Sequence, residues 1–125
     1  MAEKVKFHLE YEVKSSPKIL YNFLIEPIAL SQWFADEVTQ KESLYSFTWD
    51  DETQTARLVS ARENRSVKYK WVEDEPYYFE MEIIQDELTN DVALAITDHA
   101  RSESLDDRKL IWDNQIEYLQ SIIGA

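Results

Sequence analysis

The sequence contains a single glycine, Gly124, and no cysteine, and none of its apolar runs extends beyond a few residues. Each shortage excludes something. Without glycines there is no phosphate-cradling P-loop, no Gly-x-Gly-x-x-Gly turn and no collagen repeat. Without cysteine there is no disulfide, no thiolate metal site and no thiol nucleophile. Without an apolar run of about 18 residues, no helix spans a bilayer. Cations are also in the minority: 13 Lys plus Arg stand against 25 Asp plus Glu, a net charge of −12. Such a chain repels phosphate backbones and anionic lipid surfaces, so neither nucleic acid nor membrane is expected as a partner. The densest cationic stretch, Arg57, Arg62, Arg65, Lys68 and Lys70, alternates with apolar residues and reads as a solvated strand face. The N-terminus enters an alternating pattern without the apolar stretch of a signal peptide, so a cytoplasmic location is expected.

What is present is material for a core. Hydrophobic residues make up 44% of the 125 and aromatics 13%, enough for one packed domain over residues 1–125 and far from the composition of a disordered acidic tail. Val5, Phe7, Leu9, Tyr11 and Val13 alternate with polar residues, which predicts a strand with one buried face. Ser16-Pro17 then suits a helix N-cap and first helical position. Ile19, Leu20, Phe23 and Leu24 repeat at helical spacing. Pro27 breaks that helix and starts a second, bearing Ala29, Leu30, Trp33 and Phe34.

Period two returns at Val38 and continues through Tyr45, Phe47 and Trp49; Ala56 and Leu58; Val67, Tyr69 and Trp71; Tyr77, Phe79, Met81 and Ile83; and Val92, Leu94 and Ile96. Polar turns separate the runs, with Asn64 the residue best suited to a left-handed conformation. This is an antiparallel meander. A long helix closes the chain, with Ser104-x-x-Asp107 resembling a capping box and Leu105, Ile111, Trp112, Ile116, Leu119, Ile122 and Ile123 as its apolar set. Gly124 is placed to cap it. The predicted class is α+β, in the order β-α-α-β6-α, with a curved sheet wrapped around the C-terminal helix.

A curved sheet on one helix tends to enclose space, and bulky rings either fill it or line a hole in it. The candidate ligand-binding residues are therefore Trp33, Phe34, Phe47, Trp49, Tyr69, Trp71, Phe79 and Met81, with Trp112 and Gln115 from the last helix. The Gln115 amide can orient a carbonyl or hydroxyl, and Tyr45, Tyr69 and Tyr77 offer hydroxyls. Asp98 shares parity with Ile96, which puts it at the inner rim; capping the last helix competes there with a ligand contact. His8 and His99 read as surface or structural residues. The acidic tips Asp50-Asp51-Glu52 and Glu73-Asp74-Glu75 lie at one end of the meander, and neither has the spacing of a calcium loop. No catalytic triad, paired catalytic carboxylates, metal-ligand spacing or cofactor motif is legible.

At this level of detail the chain resembles a known superfamily. Ser16-Pro17-x-x-Leu20-Tyr21-x-x-Leu24 is followed by Pro27-x-x-Leu30-Ser31-x-Trp33-Phe34-Ala35-Asp36. Then come Phe47-x-Trp49-Asp50, Asn64-x-x-Val67-x-Tyr69-x-Trp71, Asp91-Val92-Ala93-Leu94-x-Ile96-Thr97-Asp98 and Trp112-Asp113-x-Gln115-Ile116. Together they are similar to the helix-grip, START-like (SRPBCC) superfamily. The nearest branch is that of the activator of the heat-shock-chaperone ATPase, the AHSA-type small bacterial proteins. The resemblance implies a cavity for a small hydrophobic molecule (lipid, sterol or polyketide-like) between sheet and C-terminal helix. It also implies an alternative, a chaperone-associated or other protein-interaction module, and more remotely a cyclase- or hydrolase-like enzyme. A homodimer through an edge strand or the exposed helices is compatible with it. The scarcity of glycine sets the chain apart from relatives that carry it in their hairpins.

Overall fold

The structure, a computed structural model, describes residues 3–123. Gly124, the expected cap, lies outside them. The elements run β1 (Lys4–Glu12), α1 (Pro17–Ile25), α2 (Pro27–Trp33), β2 (Glu37–Lys41), β3 (Leu44–Trp49), β4 (Glu52–Arg62), β5 (Ser66–Trp71), β6 (Tyr78–Gln85), β7 (Val92–Arg101) and α3 (Leu105–Ile123). The strands form one curved antiparallel sheet in the order β1-β7-β6-β5-β4-β3-β2. The class is α+β, as the hydropathy pattern predicts.

Strand parity accounts for most of the packing. Val92, Leu94, Ile96, Asp98 and Ala100 of β7 all face inward and are buried, as are Phe79, Met81 and Ile83 of β6 and Val67, Tyr69 and Trp71 of β5. β1 follows the rule less well. Phe7 is buried, as is Val13 just past the strand's end, Leu9 and Tyr11 are half-buried, and Val5 is 42% exposed. β1 is an edge strand with β7 as its only strand partner, and Val5 sits near its free end. Between Leu58 and Ser60 the β4–β5 register slips at a bulge, a device that bends a strand and raises its twist.

Turns that would ordinarily use glycine use other residues. Glu42, Asp50, Asn64 and Asn90 all have positive φ, between 52° and 65°. Asn and Asp tolerate this region through local side-chain hydrogen bonding, as expected at Asn64. Glu42 has no such aid.

α1 begins as expected, with the Ser16 side chain accepting from the Ile19 N–H and Pro17 in the first turn. α3 does not use a capping box. It is entered through a 3₁₀ turn at Ser102–Ser104, with the Leu105 N–H bonded to the Ser102 carbonyl. Trp112, Ile116 and Leu119 form its buried stripe. Ile111 and Ile122, expected in that stripe, are 44% and 38% exposed, because the stripe is narrower than the apolar composition suggests. No helix among the described residues is long and apolar enough to cross a membrane.

Candidate ligand cleft

Phe34, at the C-cap of α2, is the hub of the interior. Its ring lies 5.1 Å from that of Phe47, 5.2 Å from Phe79, 5.4 Å from Trp49 and 5.7 Å from Trp112, centroid to centroid. Tyr69 stacks on Phe79 at 5.0 Å, and Trp71 meets Phe79 at 5.2 Å. These are the separations of offset-stacked and edge-to-face pairs in direct contact. The structure thus brings Trp33, Phe34, Phe47, Trp49, Tyr69, Trp71, Phe79, Met81 and Trp112 into one packed cluster.

The polar atoms of this cluster are occupied. The last turn of α1 leaves carbonyls without helical partners, as every helix does. Trp33 Nε1 donates to Phe23 O at 2.8 Å, the Tyr69 hydroxyl to Leu24 O at 2.7 Å and the Tyr45 hydroxyl to Ile25 O at 2.8 Å. Trp49 Nε1 and Gln115 Nε2 both donate to Phe34 O, each at 2.7 Å. Among the described residues no buried side-chain nitrogen or oxygen lacks a partner. Burial pushes the Tyr69 phenol well above its ordinary pKa, with Tyr45 adding to the shift.

Open space lies instead beside the cluster. A cleft of about 670 Å³ runs between the first two turns of α3, the end of β7 and the β5–β6 turn. Its apolar surfaces are Trp71, Ala100 and Ile111; Lys4, Glu73, Asp98, Arg101, Asp107 and Arg108 are among its polar ones. Of the ten sequence-predicted ligand residues, Trp71 is the one that lines it, and through Phe47 and Phe79 it joins the cleft wall to the ring cluster.

Asp98 organises the cleft's inner end. The residue is only 2% exposed. Oδ2 accepts from Trp112 Nε1 at 2.8 Å and from Arg108 Nε at 3.1 Å, and Oδ1 accepts from the His99 N–H at 2.7 Å. It therefore ties α3 to β7 through side chains rather than capping the helix end. Across the cleft, Lys4 pairs with Asp74. His99 lies against the rings of Tyr77 and Tyr78 and donates Nδ1–H to Tyr78 O at 3.0 Å, while His8 is exposed beside the Thr97 hydroxyl.

Sequence reading misses Lys4, Arg101, Asp107, Arg108 and Ile111 as cleft residues. One signal is present: Ser104, just before α3, and Asp107, Arg108 and Ile111 within it follow helical spacing. The Lys4–Arg101 pairing that joins the chain's start to the end of β7 is set by tertiary register.

A curved antiparallel sheet closed over a long C-terminal helix, with an open cleft at one end, defines a helix-grip protein. The chain belongs to the START-like superfamily, whose domain model matches residues 1–125. The NMR structure of BfR322 from Bacteroides fragilis is 35% identical over 100% of this chain and 94% of that one, with a TM-score of 0.68. The Aha1 dimer from Colwellia psychrerythraea is 15% identical over 95% and 96% of the two chains, TM-score 0.81. XoxI from Bacillus cereus is 13% identical over 95% of each chain, TM-score 0.80. The last two likenesses concern the fold alone. No curated protein matches the sequence.

Proposed function

We propose that the protein binds a small hydrophobic molecule, of lipid, sterol or polyketide-like character, between the sheet and α3. The observation that carries this reading is the cleft of about 670 Å³, in whose largely polar lining Trp71 and Ile111 form an apolar patch, a volume within the range of small-molecule sites. The ring cluster behind Trp71 supplies a rigid apolar backing, and Trp33, Phe34, Phe47, Trp49, Tyr69, Phe79, Met81, Trp112 and Gln115 act from there as its support. The test is amide and indole NMR titration with fatty acids, sterols and aromatic polycycles. Saturable shifts at Trp71, Ile111 and Arg108 are the expected result; no shift from any class overturns the reading.

A second reading is association with another protein chain, by homodimerisation or with a chaperone. Leu110, Tyr118 and Ile122 are exposed on α3, and the similar Colwellia protein is described as a dimer. Sedimentation showing a dimer that Tyr118→Lys dissolves would favour it; a monomer at every concentration counts against homodimerisation.

A further inference from the structure

The charges around the cleft restrict what its ligand can be. Three cations line it, Lys4, Arg101 and Arg108, against four carboxylates, Glu73, Asp74, Asp98 and Asp107. Two cations are already matched, Lys4 by Asp74 and Arg108 by Asp98. What remains is Arg101 against Glu73 and Asp107, in a protein of net charge −12. A ligand carboxylate entering this cleft would be desolvated and would meet a surplus of negative charge.

Hydrogen-bonding capacity points elsewhere. A guanidinium carries five N–H donors. The Arg108 Nε–H is held by Asp98 at 3.1 Å, while the terminal nitrogens make no hydrogen bond among the described residues. With its side chain 32% exposed on the cleft wall, Arg108 presents fixed donors to whatever lies over Trp71 and Ile111. Its charge is cancelled by Asp98, but its donors are not used up.

We infer that the cleft selects uncharged aromatic or polycyclic molecules bearing a carbonyl oxygen, seats that oxygen on the Arg108 guanidinium, and discriminates against carboxylates of the same shape. This rests on the small-molecule reading above. A neutral acceptor takes up the free N–H groups without adding to the negative surplus, and a planar body covers the Trp71 and Ile111 surfaces.

Three probes with one ring system separate the terms: acetonaphthone (ketone), naphthoate (carboxylate) and ethylnaphthalene (hydrocarbon), titrated while the Trp71 indole and cleft amide signals are followed. Acetonaphthone is expected to bind about tenfold tighter than naphthoate, and about tenfold tighter than ethylnaphthalene, the size of one hydrogen bond to a charged donor. Arg108→Met, with Arg108→Leu as a second donor-free replacement should the first perturb folding, removes the ketone's advantage over the hydrocarbon. The hydrocarbon's own affinity stays within about twofold, because its contacts are apolar. Raising the salt concentration narrows the gap between ketone and carboxylate. Naphthoate binding as tightly as acetonaphthone overturns the selectivity and leaves the cleft reading intact. Failure of all three to move any cleft signal overturns the preference for aromatic ketones, and the cleft reading falls with it only if fatty acids and sterols also leave those signals unmoved.

Discussion

Trp112 of α3 donates its indole N–H to the Asp98 carboxylate of β7 over 2.8 Å, with both residues buried. The same carboxylate also holds Arg108 and the His99 N–H, so one side chain joins helix, sheet and cleft wall. Asp98→Ala leaves buried donors unpaired and is expected to destabilise the fold by about 3 kcal/mol. Asp98→Asn keeps one carbonyl acceptor and should lose roughly half of that. Urea unfolding measures both, and an unchanged midpoint for Asp98→Ala would remove Asp98 as the tie between α3 and β7.

The tyrosines that cap α1 can be ranked. Tyr69→Phe strands the Leu24 carbonyl in the interior and should destabilise by about 2 kcal/mol, the unmet-acceptor penalty. Tyr45→Phe acts on Ile25 O at a part-buried site, where water can substitute, and should lose about 1 kcal/mol. Equal losses would contradict the difference in burial.

Stability should fall in alkali through Tyr69 and Tyr11. The Tyr69 and Tyr11 phenols titrate above their ordinary value of 10.0 in the folded state, Tyr69 through burial and Tyr11 through burial and then its bond to Asp113. The folded protein therefore retains these protons where the unfolded chain has lost them. Their contribution is fully present below pH 10 and declines as pH rises above it. Chemical denaturation from about pH 8 upward should show a plateau and then a descent beginning near the unperturbed phenol value. Tyr11→Phe should make the descent shallower, and an unchanged slope would exclude its share.

Glu42 occupies the β2–β3 turn with φ 56°. A left-handed non-glycine residue costs about 1–2 kcal/mol, while glycine loses about 0.5–1 kcal/mol in unfolded-state freedom. Glu42→Gly should thus stabilise by about 0.5–1 kcal/mol. A lower melting temperature in differential scanning calorimetry would show that the Glu42 side chain contributes more than its backbone strain takes away.

Alternation makes the sheet legible, since one face of each strand must be apolar and the other need not be. That is why β5, β6 and β7 can be read residue by residue, and why the helix break at Pro27 is visible. Val5 departs from its parity because edge position is a property of the sheet and not of the strand. The aromatic set can be named from sequence, but its polar atoms cannot be assigned there. Nothing local to Tyr45 or Tyr69 shows that their hydroxyls reach α1, 20 and 45 residues away. The cleft was the least legible feature, because Lys4, Glu73, Arg101 and Arg108 meet only when the chain's first strand pairs with its last. Parity alone puts Asp98 at the inner rim, while its partners on α3 depend on how the helix crosses the sheet.

The caps on α1 also bear on how the molecule opens. A nine-residue helix has little stability alone, and here its final turn is bonded to an indole of α2 and to phenols of β3 and β5. Fraying of that turn must break the bonds from Trp33, Tyr45 and Tyr69. The amides at the end of α1 are therefore expected to exchange more slowly than those of an uncapped helix of that length, and Tyr69→Phe should speed them.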